Sequence, residues 1–341
     1  MGVVNRKTLY FTAPRQVELR EESLSALGAD DVLVKTICSA ISAGTEMLVY
    51  RGEFPHLKDL HDSLSSDLNY PLAYGYACVG RIVETGMHVD KSLRNKIVFG
   101  FQPHTSAFIC NPSALIFAPA SFPAEACSFL PNMETAVNLV QDAAPILGER
   151  VLVLGQGVIG LLVAALLKEF PLEVLITLDR YELRRSASRT IGVNDSIDPE
   201  LINLASGTTL KQQGAYAQNF DLTFELSGSP SALNDAIALT TFSGRIVIGS
   251  WYGEKQAPID LGGAFHRSRI KLISSQVSTI APELSGRWDK SRRFEVAWEA
   301  LKRIQPQKWI THRFPIEEAD KAYELLDKNP QATIQILFTY S

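Results

Sequence analysis

The sequence predicts an α/β protein with two domains, a β-rich N-terminal part followed by a doubly wound parallel sheet. The chain has 341 residues, and a domain usually takes about 150. Hydrophobic residues make up 46% and charged residues 21%, which is enough apolar material for two globular cores. Helical periodicity is weak before Pro123, whereas strands and helices alternate after it.

Short strands follow one another in the N-terminal part. They are rich in β-branched or aromatic residues and are bounded by Gly, Pro, Asn or Asp, which commonly flank strands. The predicted strands are 32–37, 78–84, 96–101 and 107–110. Strand after strand with turns between them predicts a barrel or a sandwich.

The second part begins with helical spacing over 124–144 and then alternates between strands and helices. The predicted strands are 150–154, 173–178, 220–225, 245–249 and 271–275, and the predicted helices are 158–170, one that begins at Tyr181, and 231–240. Repeated strand–helix units predict a parallel sheet with helices on both faces. The remaining chain predicts helices over 291–304 and 316–326 and a final strand over 333–338.

A glycine motif joins the first of these parallel strands to the next helix. It reads Gly155-Gln156-Gly157-Val158-Ile159-Gly160, and this position between strand and helix is typical of a dinucleotide-binding turn. Gly155 permits the tight turn, Gly157 lets the backbone approach a pyrophosphate, and Gly160 lets helix and strand pack closely. The helix start at Val158 and Ile159 offers N–H groups to the phosphates.

Asp179 follows the second parallel strand, 19 residues beyond Gly160, where a carboxylate can accept hydrogen bonds from ribose hydroxyls. Its charge repels a 2′-phosphate and favours NAD. Nearby arginines could offset that charge, which leaves NADP possible; they are Arg180, Arg184 and Arg185. Two later strand ends are expected to face the cofactor as well, and they carry Ser227-Gly228 and Ser250-Trp251.

The charge and the cysteines exclude several classes of function. A net charge of −4 gives no basic patch for nucleic acid or anionic membrane, and the runs Arg184-Arg185 and Arg292-Arg293 are interpreted as solvated helix faces. Four cysteines without CxxC spacing are expected to be small buried side chains. No secretion signal and no apolar run of about 20 residues occurs, so we expect a cytoplasmic protein.

The chain resembles the medium-chain dehydrogenase/reductase superfamily over nearly its whole length. The resemblance implies a GroES-like catalytic domain over 1–131, a Rossmann NAD(P)-binding domain over 132–281, and a C-terminal return to the catalytic domain over 282–341 that contains the segment 310–315. Several segments resemble the bacteriochlorophyllide a dehydrogenase-like branch; they are 41–46, 50–52, 131–136 and 287–289. The resemblance also implies a homodimer and a nicotinamide placed in the cleft between the domains.

The chain departs from the zinc-dependent members of this superfamily. Ser42 or Ala43 stands where they carry a cysteine, and Gly75-Tyr76-Ala77 stands where they carry Gly-His-Glu. The stretch 98–110 has one cysteine, whereas their corresponding segment has four. Zinc needs about three protein ligands in a catalytic site, so we predict a zinc-independent enzyme. A different site built from His56, His61 and His104 is the alternative.

Without zinc, hydroxyl groups must stabilise the charge that develops on the substrate oxygen. We predict a catalytic cluster of Tyr76, Ser42, Thr45 and Glu46 that acts on a small-molecule substrate, a conjugated secondary alcohol or ketone. Three simpler interpretations stay open: Tyr76 only fills the volume of the lost metal, Glu46 only pairs with an arginine such as Arg51, and His56, His61 or His104 acts as acid–base. The polar segment 56–69 is a candidate lid.

Two other functions remain open at this point. The first is a zinc-free enoyl or quinone reductase, which would reduce C=C rather than C=O. The second is a non-catalytic NAD(P)-binding protein, which an intact glycine turn beside an altered metal site permits.

Overall fold

A computed structural model describes residues 5–54, 68–201 and 220–341. The chain divides into two compact units, residues 1–131 with 305–341, and residues 132–304. Residues 282–304, which the sequence analysis assigned to the C-terminal return, lie in the second unit.

The elements, in chain order, begin with the N-terminal part of the first unit. They are β1 (Asn5–Ala13), β2 (Gln16–Ser23), β3 (Val32–Ala40), α1 (Glu46–Arg51), β4 (Leu72–Ala73), β5 (Cys78–Thr85), β6 (Ile97–Gly100), β7 (Ala107–Cys110), β8 (Ile116–Phe117) and α2 (Ala124–Cys127). Then come α3 (Leu130–Ala143), β9 (Arg150–Leu154), α4 (Val158–Leu167), β10 (Val174–Leu178), α5 (Glu182–Ile191), β11 (Asp195–Ile197), β12 (Phe220–Glu225), α6 (Ala232–Leu239), β13 (Thr240–Ile248), β14 (Lys271–Ser274) and α7 (Lys290–Ile304). The chain ends with β15 (Ile310–Pro315), α8 (Ala319–Lys328) and β16 (Gln335–Thr339).

The first unit is built on mostly antiparallel sheets. The larger sheet has the strand order β15-β16-β3-β5-β6-β8, and β7 pairs with β3; the smaller has the order β2-β1-β4. The C-terminal strand β16 pairs with β3, which joins the last residues of the chain to the N-terminal fold. Val34, Ile82 and Val98 are fully buried in the core of the larger sheet. The β-rich prediction is confirmed.

The second unit carries a parallel sheet with the strand order β11-β10-β9-β12-β13-β14. Every pair in it is parallel, and β9 and β10 are apolar and buried because helices cover both faces. The chain moves outward from β9 in one direction through β10 and in the other through β12. The sheet therefore has a topological switch point at β9 and β12, where such sheets bind ligands.

Several local predictions differ from the structure. The helix expected over 124–144 is two helices, α2 and α3, because Pro131 has no N–H to continue an α-helical ladder from one into the other. Strands β1 and β2 were not predicted individually: half-exposed and exposed residues dominate β2 and leave it no clear apolar pattern.

The expectation of a solvated Arg293 is also wrong. Its guanidinium is fully buried on α7 and binds the Glu134 carboxylate of α3 at 2.6 Å. This ion pair ties α7 into the second unit and explains why residues 282–304 do not belong to the return segment. Arg185 is mostly buried too, since it binds Asp198 at 2.7 Å.

The four cysteines form no disulfide, and Cys38, Cys78 and Cys127 are buried while Cys110 is half-buried. Burial raises the pKa of the Cys78 thiol to about 12. Small buried side chains were expected at these positions, and three of the four fit that expectation. In the ranges that the structure describes, no helix combines the length and apolarity needed to cross a bilayer.

Candidate nucleotide and catalytic sites

The glycine turn of the second unit begins with a residue that only glycine fits. Gly155 has a φ of +90°, and a Cβ built on it would lie 2.5 Å from the carbonyl oxygen of Leu226, just after β12. The N–H of Gly155 donates to the carbonyl of Leu178 at 2.7 Å, at the end of β10. The turn is therefore held tightly against the ends of both neighbouring strands.

The other two glycines differ in what surrounds them. A Cβ on Gly160 would lie 1.9 Å from the carbonyl oxygen of Gly155, so this glycine is required for helix and turn to pack. A Cβ on Gly157 would meet nothing within 4 Å, and Gly157 is the N-cap of α4 with a φ of −66°. No packing contact or backbone strain among the described residues demands a glycine at 157, and the open space in front of it suits a diphosphate.

The start of α4 exposes N–H groups to that space. Val158 and Ile159 are half-buried, whereas Gln156 and Gly160 are buried. The first N–H groups of a helix have no partner within the helix, and the positive end of its dipole lies here. This arrangement can bind an anionic group.

Asp179 lies at the end of β10, beside the turn. Its Oδ2 accepts the N–H of Gln156 at 2.7 Å and its Oδ1 accepts the N–H of Tyr181 at 2.8 Å. The carboxylate thus braces the glycine turn, which the sequence did not predict. Each oxygen keeps a second lone pair, so the group can still accept a hydrogen bond from a ribose hydroxyl.

The three arginines near Asp179 are not equivalent. Arg185 donates to the carbonyl of Asp179 and to Asp198, both at 2.7 Å. Arg184 lies over the ring of Tyr181 and 4.0 Å from Oδ2 of Asp179. Arg180 is exposed. The Arg185 guanidinium is therefore already hydrogen-bonded within the protein.

The ends of β12 and β13 form a second polar group in the same unit. Gly228 donates its N–H to Ser250 Oγ at 2.9 Å, which joins two of the predicted segments, and Trp251 next to them is half-buried. Ser227 donates both its N–H and its hydroxyl to Glu225. Glu225 was not predicted from the sequence. It is a carboxylate at the end of a buried strand, as Asp179 is just after one, and this position could have indicated a functional residue.

In the first unit, three of the predicted catalytic side chains meet. The Tyr76 hydroxyl donates to Ser42 Oγ and lies 3.4 Å from Thr45 Oγ1. Tyr76 stands just before β5, and Ser42 and Thr45 lie in the turn between β3 and α1, where both are half-buried. The cluster presents three hydroxyl groups close together.

The environment of Tyr76 keeps its hydroxyl protonated. Burial raises the pKa of Tyr76, and the nearby Glu46 carboxylate raises it further, while the hydrogen bonds to Ser42 and Thr45 act in the opposite direction. A phenol in this state is protonated at neutral pH and can donate a hydrogen bond, and it releases its proton only to a more basic group such as a developing alkoxide.

Glu46, the fourth predicted catalytic residue, does not join the hydroxyl cluster. It is fully buried at the start of α1. Its Oε1 accepts the N–H of Ser42 at 2.9 Å, and its Oε2 accepts the hydroxyl of Tyr323 at 2.6 Å and lies 2.9 Å from Nε2 of His104. Glu46 therefore holds the backbone of Ser42 in place.

The proposed Glu46–Arg51 pair is wrong. Arg51 donates to Asp327 Oδ1 at 2.6 Å instead. Residues five positions apart on a helix point in different directions, so Glu46 and Arg51 reach different residues of α8, Tyr323 and Asp327.

His104 is part of the same buried network. Its ring is fully buried, and Nδ1 lies 2.6 Å from Ser39 Oγ, which in turn lies 2.6 Å from the Tyr340 hydroxyl. A Cβ on Gly75 would lie 2.8 Å from the His104 ring, so glycine before Tyr76 makes room for the imidazole. His56, His61 and most of the candidate lid 56–69 lie outside the described residues.

The residues at this position do not fit a catalytic zinc. Thiolate, imidazole and carboxylate are the protein ligands zinc prefers, whereas Ser42, Thr45 and Tyr76 offer neutral hydroxyls. Glu46 and His104 are already joined to each other and to further partners. Over residues 5–54, 68–201 and 220–341, no three His, Cys, Asp or Glu side chains come together in a way that could hold a metal ion.

Comparison with known proteins gives one consistent picture, although no family model matches the chain. D-guloside 3-dehydrogenase of Escherichia coli K12 is 24% identical over 369 aligned positions, which cover 98% of this chain and all of that protein. L-threonine 3-dehydrogenase of Bacillus licheniformis is 26% identical over 334 aligned positions, covering 87% of this chain and 88% of that protein.

The similarity extends to solved structures. The crystal structure of the RspB alcohol dehydrogenase of Escherichia coli CFT073, complexed with the cofactor NADH, matches with a TM-score of 0.77 at 19% identity. The match covers 98% of this chain and 99% of that one. Along most of its length this chain is similar in sequence to dehydrogenases, and it shares the fold of the alcohol dehydrogenase solved with NADH.

Proposed function

We propose that this medium-chain oxidoreductase uses NAD(H) to interconvert a conjugated secondary alcohol and its ketone without zinc. The observation that carries the proposal is the open space in front of Gly157, at the start of a helix whose neighbouring glycines are demanded by packing. An open space at a helix N-terminus suits a dinucleotide diphosphate.

The second unit supplies the residues that would hold the cofactor. The N–H groups of Val158, Ile159 and Gly160 would bind the diphosphate, and Asp179 would accept the ribose hydroxyls. The carboxylate repels a 2′-phosphate and Arg185 is occupied, so NAD is preferred to NADP. When bound, the cofactor gives or takes the hydride.

The first unit supplies the proton. In ketone reduction the Tyr76 hydroxyl donates its proton to the carbonyl oxygen, and water then returns a proton to the tyrosinate. Alcohol oxidation runs these steps in reverse, so Tyr76 first loses its proton to water and then accepts the proton of the alcohol. The Ser42 hydroxyl can donate to Tyr76 when Tyr76 turns its own proton to the substrate, and Thr45 steadies the pair. Glu46 acts as a positioning residue because its carboxylate holds the Ser42 backbone from a fully buried position.

The substrate class follows from the strength of this cluster. A Lewis-acid metal contributes several kcal/mol to stabilising the developing oxyanion, which neutral hydroxyl donors supply only in part. A ketone conjugated to an aromatic system or to a double bond needs less stabilisation of this oxyanion from the protein. The segments 41–46 and 131–136, which resemble the bacteriochlorophyllide a dehydrogenase-like branch, support a conjugated substrate.

A comparison of carbonyl substrates tests this proposal. The purified protein with NADH is expected to reduce an aryl ketone faster than an unactivated one, and to do so equally well after exhaustive chelation. Reduction of C=C only would favour the enoyl or quinone reductase. Bound NADH that is never oxidised by any activated carbonyl would favour the non-catalytic protein. Loss of activity that stoichiometric zinc restores would contradict zinc independence.

Two further parts of the proposal concern the whole protein. We propose that it acts in the cytoplasm, which fractionation of the source cells would test. We also propose a homodimer formed through the edge strand β14, whose Leu272 is 39% exposed, because an unpaired edge is available for strand pairing. A monomeric mass in light scattering would contradict it.

A further inference from the structure

A buried carboxylate closes the central strand β12 of the second unit. Glu225 is fully buried. Its Oε1 accepts the N–H of Ser227 at 2.9 Å and also the Ser227 hydroxyl, and its Oε2 accepts the Tyr252 hydroxyl at 2.5 Å. All these donors are neutral, and none of the described Lys, Arg or His side chains forms an ion pair with Glu225.

The three donors satisfy the oxygens of the Glu225 carboxylate without offsetting their charge. Burial and the Glu225 charge both raise the pKa of Tyr252, so the phenol stays protonated and remains a donor. The nearby ammonium of Lys255 donates to the carbonyl of Gly228 at 3.1 Å instead. In a medium of low dielectric constant such a charge acts over a longer distance than in water.

The charge lies at the switch point of the sheet. Glu225 pairs in register with Leu154, the residue before Gly155, and the N–H of Leu226 donates to the Leu154 carbonyl at 2.8 Å. Asp179 is at the end of β10, on the opposite side of the glycine turn. A dinucleotide with its diphosphate on α4 and one ribose at Asp179 extends its second nucleotide over the ends of β12 and β13. Glu225 is at that second end.

We propose that the Glu225 carboxylate makes this site prefer the oxidised, positively charged nicotinamide dinucleotide to the reduced one. The inference rests on the proposed function. The nicotinamide ring carries a positive charge only in NAD⁺, so a fixed negative charge near its half of the site stabilises NAD⁺ over NADH. By linkage, the equilibrium between the two bound forms shifts toward the oxidised cofactor.

The test compares the affinities of three nucleotides for the wild-type protein and for Glu225→Gln, which removes the charge and keeps the shape. Dissociation constants for NAD⁺, NADH and ADP-ribose are measured by calorimetry at one salt concentration. The ratio of the NADH constant to the NAD⁺ constant is expected to fall at least about fivefold in Glu225→Gln. ADP-ribose lacks nicotinamide, so its affinity should not change.

Asp221→Asn is the matched control. Asp221 is an acid near the opposite end of the same strand, where it accepts the N–H of Arg150 at 2.9 Å, and its replacement should leave the ratio unchanged. If Glu225→Gln does not fold, Glu225→Met replaces it: this change also removes the charge with a side chain of similar length, so the ratio should fall in the same way.

Three outcomes would contradict either the role of Glu225 or the proposed function. An unchanged ratio in Glu225→Gln, or in Glu225→Met where that variant is used, overturns the role of Glu225. Equal weakening of all three nucleotides in Glu225→Gln assigns Glu225 to structure alone and also overturns it. Failure of the wild-type protein to bind any of the three overturns the proposed function instead.

Discussion

Tyr76 combines two properties that suit a proton donor. Its hydroxyl touches Ser42, and burial together with the Glu46 charge raises its pKa. Glu46 itself is held away from the cluster by Tyr323 and His104. The two residues therefore have different roles. The Tyr76 hydroxyl can exchange a proton, and the buried Glu46 carboxylate holds the backbone of Ser42 in place.

We predict that Tyr76→Phe lowers kcat/KM for ketone reduction roughly 10²–10⁴-fold, the usual contribution of a general acid. Dissociation of NADH should not change, because the Tyr76 hydroxyl is assigned to the substrate oxygen and not to the nucleotide. Tyr10→Phe is the control, since the Tyr10 hydroxyl binds Glu22 far along the chain from the cluster. An undiminished rate in Tyr76→Phe would remove Tyr76 from the mechanism.

The pH profile of the wild-type protein is a second readout of the same prediction. The active form of a general acid is protonated, so activity persists below its pKa and is lost as the pH rises through it. Because the pKa of Tyr76 lies above its ordinary value, ketone reduction should show no loss from this group between about pH 6 and about pH 9. A loss of activity on raising the pH within that interval that disappears in Tyr76→Phe would contradict the assignment.

Sequence patterns predicted part of this cluster. Tyr76, Ser42 and Thr45 were grouped through the positions of lost zinc ligands, and the structure brings their hydroxyls together. The partners of Glu46 were not predictable, because His104 and Tyr323 are 58 and 277 positions away along the chain and only the fold brings them close. Opposite charge suggested Arg51 as the partner of Glu46, but the two side chains leave α1 in different directions.

At the scale of elements, the start of α4 is the feature on which nucleotide binding depends. We predict that Gly157→Ala leaves the melting temperature nearly unchanged, since its φ of −66° suits alanine and its Cβ meets no described atom within 4 Å. The same change should weaken NADH binding at least about tenfold, because the methyl group occupies the space assigned to the diphosphate.

Gly286→Ala provides the control for this substitution. Its Cβ also meets nothing within 4 Å, and it lies away from the glycine turn in the sequence, so neither stability nor affinity should change. Gly157→Ala that binds NADH as tightly as the wild-type protein would show that the diphosphate does not lie there.

Helix α7 depends on one buried arginine. Arg293 binds Glu134 and Asn138 of α3 at 2.6 Å each, and it also donates to the carbonyls of Val277 and Thr279. We predict that Arg293→Met lowers the free energy of unfolding by about 3–5 kcal/mol, because it leaves Glu134 buried without its partner. Denaturant unfolding measures this.

The neighbouring Arg292→Met is the matched control. Arg292 is exposed and lies over the ring of Trp288 at 4.2 Å, so its loss should cost no more than about 1 kcal/mol. Equal stability losses in the two variants would contradict the role given to Arg293.

The elements of the second unit were largely predictable, and the reason is physical. Strands β9 and β12 are short apolar runs buried in a parallel sheet, and such runs stand out in a sequence. The residues of strand β2 are exposed or half-buried, so this strand has no buried face and no apolar run that predicts it. The Arg292-Arg293 pair shows a further limit, because one arginine is exposed and its neighbour fully buried, and only the position of Glu134 on α3 decides which.

At the scale of the whole molecule, the two units supply different parts of one proposed reaction. The parallel sheet offers a helix start and a ribose-binding carboxylate, and the β-rich unit offers the hydroxyl cluster around Tyr76. The acidic net charge of −4 suits a small-molecule enzyme rather than a nucleic-acid-binding protein. Every part of the account requires that the second unit hold a nicotinamide dinucleotide.

Calorimetric titration of the purified wild-type protein with NADH tests that requirement most directly. We expect saturable binding with one NADH per chain, tighter than binding of NADPH because Asp179 repels the 2′-phosphate. The absence of binding by either nucleotide would contradict a dinucleotide site in the second unit.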